Sequence, residues 1–166
     1  MSKRALSAVT IAASDAGGGA GIQADLLTFA AHGIHGAAVL TAATAQNTVG
    51  VFGIEPLSPR FVARQLDAVF SDLHPRAVKI GMLFDALRIR AVAAGLARHR
   101  ARNVVLDPVM VAKTGARLLS PRAVTVLVKD LLPLCDLVTP NLPEAARLSG
   151  LPLRTNADRR VAAGAI

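Results

Sequence analysis

Apolar runs of strand length alternate with longer stretches of helical period along the whole chain. Strand-length runs fall at 6–13 (L-S-A-V-T-I-A-A), 35–42, 51–55, 76–81, 103–107 and 135–139. Helical periodicity covers 19–32, 59–72, 85–101, 120–132, 143–149 and 156–166. The clearest helix is S-P-R-F-V-A-R-Q-L-D-A-V-F-S-D-L. Ser58 is placed to cap it, Pro59 takes its first position, and Phe61, Val62, Leu66, Val69 and Phe70 repeat on one face. Ser120-Pro121 opens the later helix in the same way. This alternation predicts a mostly parallel sheet with helices on both faces. Between 35 and 55 two short extended runs, H-G-A-A-V-L and V-G-V-F-G-I, follow without an intervening helix, which predicts a small flap or edge element. The last segment starts with Thr155 or Asn156 as cap. Its large apolar residues are Val161 and Ile166 only, no terminator follows, and the chain is expected to end inside an element.

The length of 166 residues suits one domain, 1–166, with a real core. At 52% hydrophobic and 18% charged, the chain is globular. Its net charge of +8 comes from 15 Arg and 4 Lys against 11 acids. The arginines are scattered through predicted helices, and Tyr and Trp are absent, so a base-stacking nucleic-acid platform is not expected. Lys3 and Arg4 before A-L-S-A-V-T-I-A-A imitate a secretory signal, but Ser7 and Thr10 interrupt the run and a first strand explains it better. No run reaches membrane-spanning length. A lone Cys135 in L-L-P-L-C-D-L-V fits a buried core thiol in a reducing compartment, so the expected location is cytoplasmic, with no membrane partner.

Chemistry concentrates around S-D-A-G-G-G-A-G-I-Q-A-D at 14–25, where glycines let backbone approach a small polar or anionic ligand. No Gly-Lys pair exists, which excludes a P-loop. Gly19, Gly21 and Ala24 satisfy a relaxed dinucleotide pattern, but no carboxylate lies between Asp25 and Glu55 to hold a ribose. Lys113-Thr114-Gly115 lacks the companion motifs of a serine β-lactamase. Ligands of open α/β sheets sit beyond the carboxyl ends of the strands. Asp25, Gln46, Lys79, Asp107, Asn141 and Glu144 are predicted to meet on that rim. Each has a plain structural explanation as well, such as a turn former for Asn141 and a first-turn helix charge for Glu144.

The stretches S-D-A-G-G-G-A-G-I-Q-A-D-L, T-A-A-T-A-Q-N-T-V-G-V, Q-L-D-A-V-F-S-D, K-I-G-M-L, N-V-V-L-D-P-V-M-V-A-K-T-G and T-P-N-L-P-E-A closely resemble hydroxymethylpyrimidine/phosphomethylpyrimidine kinase, of the ribokinase-like superfamily. The resemblance implies a three-layer α/β/α sandwich and, usually, a homodimer. It implies transfer of phosphate from ATP, with Mg²⁺, to 4-amino-5-hydroxymethyl-2-methylpyrimidine and then to its monophosphate, for thiamine biosynthesis. Gln46 would read the pyrimidine edge, where an amide offers donor and acceptor side by side. Asp25, Gly19 and Gly21 would lie at the substrate, with Met82 and Val109 packing the ring. Asp107, Asn141 and Glu144 would organise Mg²⁺, through water or phosphate. No catalytic residue is assigned, because the family's G-T-G-C anion hole and base are expected beyond Ile166, in a missing C-terminal half. The fold is thus expected to be C-terminally incomplete and the chain inactive alone. Two other readings stay open: a pyridoxal kinase-like enzyme, and a non-catalytic pyrimidine-binding module.

Overall fold

The computed structural model describes residues 6–111 and 119–166; Lys3, Arg4 and the Lys113-Thr114-Gly115 triplet lie outside them. Elements run β1 (Ser7–Ala12), α1 (Gly21–Ala31), β2 (His35–Leu40), β3 (Ala42–Gln46), β4 (Val51–Pro56), α2 (Pro59–Leu73), β5 (Ala77–Ile80), α3 (Ala86–His99), β6 (Val104–Leu106), α4 (Pro121–Val126), β7 (Leu137–Val138), α5 (Leu142–Ser149) and α6 (Asn156–Ala165). The main sheet is parallel throughout, in the order β2-β1-β5-β6-β7, as the alternation predicts. From β1 the chain moves outward to β2, returns past β1 to β5, and then continues the other way. The strand order therefore reverses between β1 and β5, where open α/β sheets leave a crevice for ligands.

The two faces of the sheet differ in chemistry because strand side chains alternate. Val9 and Ile11 of β1, Val78 and Ile80 of β5, and Val104 and Leu106 of β6 point into one core. There they meet Val62, Leu66 and Phe70 of α2 and Ile89, Val92 and Leu96 of α3. Gly95 permits the close approach of these helices, since a Cβ there would stand 2.6 Å from Leu66 Cδ1. The opposite face carries Ala8, Thr10 and Ala12 on β1, with Lys79 in register beside Thr10, and it is α1 that packs over β1 and β2.

The end of β2 is held by an unusual partner. Gln65 of α2 accepts from Leu40 N at 2.9 Å and donates through Nε2 to Leu40 O at 3.0 Å, as a neighbouring strand would. Across the sheet, β7 pairs with β6 on one side and has no strand on the other among the described residues. Its Leu137, in register with Val105, is 56% exposed.

Several boundaries shift from the sequence reading, each for a local reason. The run at 35–42 divides at Thr41, whose hydroxyl donates to Met82 O at 2.7 Å. Beyond it, β3 leaves the main sheet and forms the antiparallel flap with β4. The helix expected over 120–132 is α-helical only to Val126. It widens into a π-helical turn at Leu127–Leu131 and tightens into a 3₁₀ turn at Leu132–Leu134, where Pro133 has no N–H to continue the ladder. Phe61 is 50% exposed, at the edge of the buried stripe of α2. In α6, capped by Thr155, the buried residue is Ala162, and Val161 faces outward.

Leu66 is fully buried where α2, α3 and the sheet meet. Leu66→Ala is expected to lower the urea unfolding free energy by about 2–5 kcal/mol, by lost transfer energy plus the cavity left behind. A loss below ~1 kcal/mol would show that the core collapses around the gap.

Candidate functional site

A cavity of about 490 Å³ opens at the carboxyl ends of β1, β5 and β6, at the reversal of strand order. The glycine loop, the flap, the end of β5 and the D-P-V-M stretch form its walls.

The glycine loop is built around Asp15. Its carboxylate is buried and accepts from Gly17 N at 2.9 Å and Gly19 N at 3.0 Å. Its own N–H donates to Gln23 Oε1 at 2.9 Å. One side chain thus folds the loop back onto itself and pins it to α1. The turn into the helix is tighter still. Gly21 has φ +59°, and a Cβ there would lie 2.3 Å from Ala13 O, which already accepts from Ile22 N. No other residue type fits without moving the backbone. Where α2 to α6 each carry a side-chain cap, α1 begins at Ala20 without one, and Ala20 and Gly21 line the cavity.

The flap is stitched to this loop. Ser14 N donates to Ala42 O at 2.9 Å, Thr44 N to Ser14 Oγ at 3.3 Å, and Thr44 Oγ1 to Ser14 O at 2.8 Å. Gln46 stands at the end of β3, steadied by a 3.3 Å contact between its amide oxygen and Thr44 Oγ1. Gly19, Gly21, Gln46, Met82, Val109 and Asp107 all line the cavity, so the structure brings these predicted site residues together.

Asp25 takes a different place. It stands behind the wall, where its Oδ2 accepts from Thr10 Oγ1 at 2.6 Å and from Lys79 Nζ at 2.9 Å. Lys79, not Asp25, reaches the cavity. Asn141 and Glu144 form a capping box: Asn141 Oδ1 accepts from Glu144 N, and Glu144 Oε2 from Asn141 N, both at 3.0 Å. Glu144 Oε1 also accepts from Met110 N at 3.2 Å, which ties the D-P-V-M stretch to α5. Both residues therefore shape the site from outside its lining.

Burial holds the Asp107 carboxyl above the usual carboxylate range. The Lys79 charge works against that rise, and Glu144 and then Asp25 add to it. A cation beside Asp107 would relieve the penalty. No cluster of three or more His, Cys, Asp or Glu residues suited to a metal occurs among the described residues. Asp107 is a single carboxylate at an open cavity, so any cation held there would take its remaining ligands from water or a bound molecule. Cys135 is half-buried outside the cavity. Burial, and then Asp136, push its thiol up to about 11, which suits an inert packing residue.

Sequence reasoning passed over Asp15, Ser14, Thr44 and Thr10 as site-builders. An aspartate just before a glycine run is a turn-forming signal that would have singled out Asp15. The Thr10–Asp25 pairing joins a strand to a helix and has no short-range signature.

The model of one protein family, described as phosphomethylpyrimidine kinase, matches residues 15–166. A hydroxymethylpyrimidine/phosphomethylpyrimidine kinase of Rhizobium meliloti is 58% identical over 143 residues, which are 86% of this chain and 53% of that one. The solved phosphomethylpyrimidine kinase of Clostridium difficile superposes with a TM-score of 0.89 at 45% identity, covering 95% of this chain and 68% of that one. An ADP complex of Bacillus subtilis pyridoxal kinase gives 0.87 at 36% identity, covering 97% and 61%. The chain spans between 32% and 58% of the length of these curated relatives.

The raised Asp107 carboxyl has a consequence for stability. Folding disfavours its ionised form, so its contribution to stability is fully present below the unfolded value of 3.8 and is lost as pH rises through the higher folded value. Asp107→Asn is therefore expected to melt above the parent at neutral pH, with the advantage vanishing below pH 3.8. Melting curves across that range check the sign, and a constant difference at every pH would refute it.

Proposed function

The chain belongs to the phosphomethylpyrimidine kinase family, and from that premise we propose that it supplies the pyrimidine-binding part of an ATP-dependent phosphotransferase. The substrates in this reading are 4-amino-5-hydroxymethyl-2-methylpyrimidine and its monophosphate, on the route to thiamine. The observation that carries the reading is the cavity wall. Gln46, Met82 and Val109 line one cavity, at the point where the strand order reverses. A cavity that combines an amide with apolar side chains suits a ring whose amine and ring nitrogen lie side by side. Gly19 and Gly21 supply backbone at close range, and Asp25 acts through Lys79 rather than by direct contact.

Asp107 would anchor a hydrated Mg²⁺, while Glu144, oriented by its capping box with Asn141, ties down Met110 N of the D-P-V-M stretch. When bound, Mg²⁺ supplies charge neutralisation for the transferring phosphoryl group. ATP use is supported by the nucleotide complexes of the structural neighbours. The G-T-G-C segment of the resemblance does not occur in the 166 residues. Phosphoryl transfer depends on positioning and electrostatic stabilisation, so this chain alone is proposed to bind substrate without turnover. A homodimeric assembly and a cytoplasmic location complete the proposal.

Calorimetric titration tests the reading. The aminopyrimidine alcohol is expected to bind more tightly than pyridoxal, and Gln46→Ala to weaken pyrimidine binding by about 1–3 kcal/mol through the unmade hydrogen bonds. An unchanged dissociation constant in a folded variant would remove Gln46 from the site, and tighter binding of pyridoxal would reassign the substrate. Phosphorylation by the purified chain alone would place the transfer machinery within these residues.

A further inference from the structure

Lys79 interrupts an apolar strand. Its neighbours Val78 and Ile80 are buried in the core, while Lys79 points to the face that carries Thr10 and α1. The side chain runs toward the carboxyl end of β5 across Gly81. A Cβ at Gly81 would stand 3.1 Å from Lys79 Nζ and 3.1 Å from Ala12 Cβ, so small residues on two strands leave the channel through which the ammonium reaches the cavity. One donor goes to Asp25 Oδ2 at 2.9 Å, and Thr10 Oγ1 donates to the same oxygen. An ammonium has three donors. The other two have no protein partner among the described residues, and the side chain keeps 27% of its surface open.

The charges lining the cavity make this arrangement informative. Among the described residues they are Asp15, Lys79 and Asp107. Both oxygens of Asp15 are engaged by loop N–H groups and the residue is buried, so Asp107 and Lys79 are the more accessible charges of the lining. A phosphate beside the Asp107 carboxylate is repelled unless a cation stands between them, and Lys79 is the cation that the described residues of this chain themselves fix at the cavity. A lysine serving only to neutralise Asp25 would not need its head steered over Gly81 into the cavity.

We infer that Lys79 receives a phosphoryl oxygen in this cavity and determines its specificity for phosphorylated ligands. That oxygen belongs to the substrate monophosphate or to the nucleotide. The inference rests on the substrate reading proposed above and adds to it the residue that lets one cavity hold both the alcohol and its phosphate ester.

Calorimetry at fixed ionic strength decides it, with the pyrimidine alcohol, its monophosphate and ATP as separate ligands for the parent chain, Lys79→Met and Lys79→Arg. The preference for monophosphate over alcohol is expected to fall at least tenfold in Lys79→Met and to recover in Lys79→Arg. A tenfold loss confined to ATP also supports the inference and assigns the oxygen to the nucleotide. Equal loss on all three ligands, or no loss on any, overturns it. If Lys79→Met does not fold, Asp25→Asn replaces it: an ammonium freed from its counter-ion should bind the phosphorylated ligand several-fold more tightly, and unchanged or weaker binding overturns the inference. Failure of the parent chain to bind either pyrimidine counts against the substrate reading. Inorganic phosphate then decides the role of Lys79, with saturable binding lost in Lys79→Met supporting it and no binding overturning it.

Discussion

The alternation of side chains along β1 is the constraint from which the rest of this molecule follows. A strand cannot place two successive residues on one face, so Val9 and Ile11 fix the core and thereby commit Ala8, Thr10 and Ala12 to the opposite side. With β5 in parallel register, the same rule sends Val78 and Ile80 inward and Lys79 outward. The small, polar second face is therefore a consequence of how the core is filled. Because it holds little bulk, α1 lies close over it, and Asp25 can receive both the hydroxyl of Thr10 and the ammonium of Lys79. One such part-buried network does not prove stability, since desolvation offsets much of its attraction. What it fixes is where a single positive charge stands.

The same economy governs the glycine loop. Backbone that must curve tightly needs glycine, yet glycine alone leaves the curve undefined. The Asp15 carboxylate restores definition by binding Gly17 and Gly19 N–H, and the bonds from Ser14 to Ala42 and Thr44 lock the loop to the flap. Loop and flap therefore behave as one wall. Gln46 at the end of β3 inherits its position from Ser14, more than thirty residues earlier in the chain.

The fold was legible where periodicity and caps agree. Ser58-Pro59, Ser120-Pro121 and the alternation of runs sufficed for the sheet and its helices, because each signal is local. The division of the 35–42 run at Thr41 was not legible, since the bond that turns the chain there goes to Met82 O, distant in sequence. The site divided on the same principle. Gln46, Met82, Val109 and Asp107 follow strand ends and could be placed on the rim by position alone. Asp25 and Glu144 lie further along, inside helices; the Asn141–Glu144 spacing announces a capping box, but the bonds of Asp25 to Lys79 and of Glu144 to Met110 N reach other elements and leave no short-range signal. Thr10 carried a signal, a polar residue inside an apolar strand, whose meaning depends on a partner fifteen residues away.

Gln65 has a consequence for how this sheet meets other chains. Its amide occupies both backbone groups of Leu40, so a strand added along the end of β2 must displace two good hydrogen bonds there. Among the described residues the far border at β7 has no such guard, and Leu137 adds apolar surface beside it. Recruitment of a further strand is thus directional: it is resisted at one margin and invited at the other. A polypeptide that extends this sheet would meet the short outer edge of β7, Leu137–Val138, which has no strand beside it among the described residues.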